Sequence, residues 1–147
     1  MKINKEGSDL IKHFEGCKLR AYQCPAKIWT IGYGNCYYEA GKPVQPGDKI
    51  SQEKADELFE RILNQFVSQV TKLVKSNLTE NQFSALVSFA YNCGVGSLQK
   101  STLLKKVNAN PNDPTIKAEF LKWNKAKGIV MLGLIIRREA EAKLYFK

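Results

Sequence analysis

The sequence is short of histidine, paired cysteines, acidic residues and long apolar runs, and each shortage excludes something. His13 is the only histidine, and none of the four cysteines (Cys17, Cys24, Cys36 and Cys93) forms a C-x-x-C pair. A Cys/His zinc site therefore lacks its usual ligand spacing, and neither a metal nor a cofactor is expected. The longest nearly unbroken apolar run, Ile129 to Ile136, falls far below the roughly 20 residues a bilayer span needs. The opening MKINKEGSDLIKHFEG has no apolar stretch of signal-peptide length, so a soluble chain made in the cytosol is expected, without an anchor. In a reducing cytosol the default is four free thiols, and an even count leaves disulfides open after export. There are no repeats, low-complexity segments or linkers. RNP-like, zinc-finger and helix-turn-helix signatures are missing too, so a nucleic-acid partner is not expected.

The shortage of acid leaves 14 Asp and Glu against 23 Lys and Arg, a net charge of +9 over 147 residues. Such a balance favours a polyanionic partner, whether nucleic acid, anionic membrane or anionic cell wall, without choosing among them. The most basic part is residues 115–147, with eight basic residues against three acidic ones. The length fits one domain, and a hydrophobic content of 44% is enough for a core.

Periodicity predicts a mainly helical α+β chain. Leu10, Ile11 and Phe14 sit at helical spacing in a short first helix ending near Gly16. From Lys18 to Tyr38, aromatic and β-branched residues punctuated by Pro25, Gly32 and Gly34 predict a small twisted antiparallel sheet. A loop with Gly41, Pro43, Pro46 and Gly47 follows. Leu58, Ile62, Phe66, Val70 and Leu73 then recur every three to four residues, predicting a buried stripe on a helix of about six turns opening at Ser51. Thr79 and Gln82 have the capping-box form, opening a helix that ends near Gly94. A short helix is predicted over Ser101 to Val107, another from Asp113-Pro114 through Trp123, and a last one from Leu134 to Tyr145. The expected organisation is a single domain with two lobes, roughly 1–50 and 75–147, linked by the helix 51–74.

The chemistry concentrates between Phe14 and Gly34. Glu15 follows Phe14 at the end of an apolar helix face, before a glycine turn, where partial desolvation would raise its pKa toward that of a general acid. Cys24 and Thr30 follow it, and a sheet folded over the helix end would bring the three together.

The string E-G-C-K-L-R-A-Y-Q-C-P-A-K-I-W-T-I-G-Y-G resembles the active-site segment of the phage-type lysozymes, glycoside hydrolase family 24. That family's pattern is Glu, eight residues, Asp or Cys, five residues, Thr, and Glu15, Cys24 and Thr30 fit both gaps. The resemblance extends through Phe89-Ala90-Tyr91-Asn92-Cys93-Gly94, Ser101-Thr102-Leu103-Leu104, Phe120-Leu121-Lys122-Trp123-Asn124 and Arg137-Arg138-Glu139-Ala140-Glu141, covering nearly the whole chain. It implies a lysozyme-like fold and hydrolysis of the β-1,4 bond between N-acetylmuramic acid and N-acetylglucosamine. It also implies an endolysin that accumulates in host cytoplasm, needs a holin to reach the wall, and works as a monomer.

Position by position, Glu15 matches the family's general acid and Thr30 the residue that helps hold water. Cys24 stands at the Asp-or-Cys position. A thiol has a reference pKa near 8.5, so Cys24 has three open roles: thiolate base, thiolate nucleophile or water-positioning thiol. The first and third, favoured here, imply inversion. Tyr91, Asn92 and Tyr33 are the candidate substrate-binding residues, an aromatic plane suiting a pyranose face and an amide suiting an N-acetyl group. Asn35 stands where many members have His, so an ion pair there would be lost and replaced at most by a neutral hydrogen bond. Leu132 stands where many have Pro. Arg137 and Arg138 are expected in ion pairs, with Glu15 a candidate partner for one of them. A weak contact with anionic membrane is expected of the basic C-terminal segment. The competing readings are a lytic transglycosylase on the same bond and a non-catalytic wall-binding module.

Overall fold

A computed structural model describes residues 1–147, which divide into two compact units, Lys12–Gln65 and Met1–Ile11 with Phe66–Lys147. Helix α1 (Lys5–Glu15) and helix α2 (Gln52–Leu73) each run from one unit into the other. The second of these is the long helix that the apolar stripe predicts.

In the unit Lys12–Gln65, strands β1 (Lys18–Gln23) and β2 (Trp29–Gly32) form an antiparallel hairpin that pairs Tyr22 with Thr30 and Gln23 with Trp29. Its turn is closed by Cys24, whose N–H donates to Ile28 O at 3.0 Å and whose carbonyl accepts from Lys27 N–H at 2.7 Å. Ile31 and Asn35 then exchange backbone hydrogen bonds across the next reversal, and β3 (Tyr37–Glu39) pairs with β4 (Lys42–Pro43). The predicted single sheet is thus two separate two-stranded ladders, because the register slips between Lys18 and Tyr22 and the later pairing is only two residues long. Ile31, Tyr33, Val44, Leu58, Phe59 and Leu63 form the core.

The other unit is built around α3 (Glu80–Cys93), apolar and buried on nearly every side from Gln82 to Ala90. A helix with no wet face belongs at the centre of a bundle. Its capping box is present in full, Thr79 accepting from Gln82 N–H and Gln82 returning the bond to Thr79 N–H. Around it lie α4 (Val95–Lys100), α5 (Thr102–Ala109), α6 (Ile116–Leu121) and α7 (Leu132–Tyr145). Phe89 packs edge-on against Phe120 and Trp123, and Phe120 also meets Tyr145. The N-terminal helix joins this core at Gly7, where any β-carbon would overlap Ser84.

Five elements differ from the sequence expectation. Helix α4 forms over Val95–Lys100, between the predicted helix end near Gly94 and the helix predicted from Ser101. Helix α6 starts at Ile116, not at Pro114, because Asp113 Oδ1 accepts from both the N–H and the hydroxyl of Thr115 and holds that segment as a turn. Strands β5 (Lys125–Ala126) and β6 (Ile129–Val130) form a further hairpin, and α7 begins two residues earlier than expected, at Leu132.

Candidate active site

Helix α1 ends at Glu15, and Gly16 reverses the chain with φ of +67°. Glu15 is therefore held at a fixed helix terminus, half-buried, with its carboxylate against the loop after β2. A β-carbon placed on Gly34 would stand 3.3 Å from Glu15 Oε2. Gly34 also has φ of +84°, a conformation that glycine adopts readily. The glycine is needed twice: for the turn and for the approach.

The hairpin sets the other two residues of the motif. Thr30 is buried, and its hydroxyl donates to Ile28 O at 2.9 Å. The same oxygen lies 3.9 Å from Cys36 Sγ. Cys24 is half-buried at the end of the hairpin turn. The backbone N–H of Ile28 holds its thiol below the ordinary value, helped by the Ala26 amide and the Thr30 hydroxyl and opposed by partial burial. A thiol that accepts several hydrogen bonds is shifted toward thiolate.

Two neighbours were not assigned to the site from the sequence. Tyr22 is the cross-strand partner of Thr30, so the two side chains share a face of the hairpin. Burial pushes the Tyr22 phenol up, with the nearby charges of Glu15, Cys24 and Cys36 adding to the shift. It therefore stays a neutral donor. Cys36 enters through the Ile31–Asn35 pairing, which carries it back beside Thr30. The alternation of side chains along β1 was the available signal for Tyr22; none existed for Cys36.

Tyr33 does not take the open position expected of a substrate platform. It is 8% exposed, its ring packs on Phe59 with centroids 5.1 Å apart, and its hydroxyl lies 3.2 Å from Asp56 Oδ1 and 3.3 Å from Gln52 Nε2. Lys12 Nζ sits over both rings, at 5.5 Å and 5.1 Å. A face that carries a sugar must be open, and this ring is committed to the core of its unit. Asn35 is also buried, its side-chain oxygen accepting from Tyr33 N–H at 3.3 Å.

Tyr91 and Asn92 lie at the end of α3, in the other unit. The Tyr91 ring lies against Phe66, with centroids 5.1 Å apart, and the residue is half-buried. Asn92 Oδ1 accepts from Arg138 Nη2 at 2.9 Å, which fixes the amide. Arg138 is fully buried, donates also to Cys93 Sγ, and meets Glu141 at 2.7 Å. Arg137 reaches the same carboxylate and the carbonyl of Ser88. No group of three or more His, Cys, Asp or Glu side chains is placed to hold a metal ion, and no helix is long and apolar enough to cross a membrane.

Comparison with known proteins adds independent observations. A family model described as phage lysozyme matches residues 12–141. An endolysin of Bacillus phage B103 is 47% identical over 147 residues, covering 99% of this chain and 54% of the relative. The chain thus spans about half the length of that relative and of the Bacillus phage PZA endolysin. The solved structure of an endolysin from Escherichia coli O157:H7 phage FAHEc1 superposes with a TM-score of 0.92 at 40% identity, covering 100% of this chain and 94% of that one. The muramidase domain of SpmX from Asticaccaulis excentricus gives a TM-score of 0.87 at 34% identity, covering 99% and 98%.

Proposed function

This chain belongs to the phage lysozyme family, and on that footing we propose that it is a muramidase. Its reaction is hydrolysis of the β-1,4 bond between N-acetylmuramic acid and N-acetylglucosamine in bacterial peptidoglycan. The observation that carries the reading is the placement of Glu15, Cys24 and Thr30 in one structural unit of a chain that matches the family model over residues 12–141.

In this proposal Glu15 is the general acid. It protonates the departing glycosidic oxygen as oxocarbenium character develops on the sugar. Thr30 holds the attacking water; its hydroxyl is itself fixed by Ile28 O. Cys24 acts as the base toward that water, and the hydrogen bonds that lower its pKa support a thiolate in this role. Attack by water on the face opposite the leaving group gives inversion. Tyr91 and Asn92 are proposed to meet the glycan, Tyr91 through its half-buried ring and Asn92 through the amide group that Arg138 orients. Tyr33 supports the site from the core.

The biological setting is part of the same proposal. The protein is made in the host cytoplasm, reaches the wall through a holin pore at lysis, and works as a monomer without a cofactor. Weak contact with anionic membrane through the basic residues 115–147 also belongs to it. Incubation with purified peptidoglycan tests the reaction: new reducing ends support hydrolysis, whereas 1,6-anhydro products would identify a lytic transglycosylase. Binding without either product would leave only a wall-binding module.

A further inference from the structure

The hairpin Lys125–Val130 and the start of α7 carry the two most exposed large apolar side chains of the molecule. Leu132 is 72% exposed and Ile129 is 65% exposed, with Val130, Met131 and Ile136 each close to half. Scattered exposed apolar residues are ordinary, but a contiguous group marks an interaction surface. Here five of eight consecutive positions are large, apolar and exposed.

The hairpin is built to project. Ala126 pairs with Ile129 across a two-residue turn in which Lys127 and Gly128 both have positive φ, 52° and 77°. Turns of this kind match the twist of a hairpin and hold it stiffly. All four strand residues are exposed; Lys125 and Ala126 line an open cleft with Asn92, Trp123 and Leu134, while Ile129 and Val130 are not among its lining residues. Met131 N–H donates to Asn124 O at 2.9 Å and closes the base.

The charge around this finger has one sign. No Asp or Glu occurs from Phe120 to Arg138, and Lys125 and Lys127 are exposed beside the apolar residues. Arg137 and Arg138 add nothing to this surface, since both are buried in ion pairs with Glu141. The basic character of this surface therefore comes from the hairpin lysines. A second copy of the chain would set these lysines against their own equivalents, since a two-fold contact brings identical patches together. An anionic bilayer satisfies both features, taking the apolar side chains into its interface and the ammonium groups at its headgroups.

We propose that the Lys125–Val130 hairpin, with Met131 and Leu132, is a membrane-interface wedge for bilayers rich in anionic lipid. This deepens the membrane-contact reading above and is independent of the hydrolase reading. The wedge would hold the protein at the inner face of the host membrane, where a membrane pore opens.

Co-sedimentation with vesicles of phosphatidylglycerol and phosphatidylcholine, against phosphatidylcholine alone, tests it. The wild type should bind the anionic vesicles about tenfold more strongly. The double variant Ile129→Asn/Leu132→Gln should lose at least about fivefold of that binding, with its melting temperature and its activity on purified peptidoglycan unchanged. Lys125→Gln/Lys127→Asn should lose the lipid preference in the same way. Wild type that ignores anionic vesicles, or an apolar double variant that binds them as well as wild type, would overturn the proposal. So would a variant that keeps vesicle binding but loses peptidoglycan hydrolysis, which would make the hairpin a wall of the substrate site. A wild-type dimer in solution that the same variant dissociates would assign the surface to a second copy instead.

Discussion

Gly34 and Glu15 are in direct apposition: a methyl group on Gly34 would lie 3.3 Å from the Glu15 carboxylate. The space beside the proposed general acid is therefore kept by the absence of a side chain. Gly34→Ala should lower kcat on purified peptidoglycan by about tenfold or more, a barrier increase of about 1.4 kcal/mol. Its positive φ should also cost about 1 kcal/mol of stability. Thermal melts and initial rates separate the two effects, and a variant with full activity would show that the approach is slack.

Cys24 gives a pH prediction with a definite sign. A base works deprotonated, so activity should appear as pH rises through the Cys24 pKa, which the Ile28 amide holds below the ordinary thiol value. Cys24→Asp should keep activity and move that limb down toward the carboxylate range, near 4. Cys24→Ala should lose most activity at every pH. Rate profiles of the three proteins on one peptidoglycan preparation decide this. A limb that stays in place in Cys24→Asp would remove Cys24 as the base and leave it a water-positioning role.

Glu141 is buried between two arginines: Ser88 Oγ donates to it at 2.5 Å, Arg138 Nη2 donates at 3.2 Å, and Arg138 Nε pairs with Oε1 as an ion pair at 2.7 Å. Removing one member of a buried network leaves charges without compensation, which typically costs about 3–5 kcal/mol. Glu141→Gln should therefore lower unfolding stability by about that amount in urea titrations. Added salt should change the wild-type value little, because buried pairs are weakly screened. A loss under about 1 kcal/mol would mean that the pair stabilises the fold far less than its burial implies.

Gly7 packs on α3 with no room for a methyl group, its would-be β-carbon lying 2.8 Å from Ser84 Oγ. Gly7→Ala should thus destabilise by about 1–3 kcal/mol, despite alanine's better helix propensity. Ser84→Gly should relieve part of that loss in the double variant, which a double-mutant cycle in denaturant would show.

The helices were the most legible part of the sequence. The stripe from Leu58 to Leu73 and the Thr79–Gln82 box each announce an element through local spacing, and local spacing is what a sequence carries. The motif residues Glu15, Cys24 and Thr30 were legible for the same reason. What surrounds them was not. Tyr22 and Cys36 reach Thr30 through strand register and a chain reversal, and the length of the turn at Cys24–Ile28 sets that register. Tyr33 looked like an open aromatic, but the positive φ of Gly32 and the buried Asn35 turn it inward onto Phe59. The hairpin at Lys125–Val130 has two-residue strands, too short for alternation to show, and only the Lys127-Gly128 turn hinted at it.

The central claim is that Glu15 is the acid of a peptidoglycan hydrolase. The most direct test is the rate at which Glu15→Gln releases reducing ends from purified peptidoglycan, against the wild type at the same concentration. The account predicts a folded protein with the wild-type melting temperature to within a few degrees and a rate at least about 100-fold lower, the lower end of what general acid catalysis contributes. A Glu15→Gln protein that cleaves peptidoglycan at the wild-type rate would contradict it.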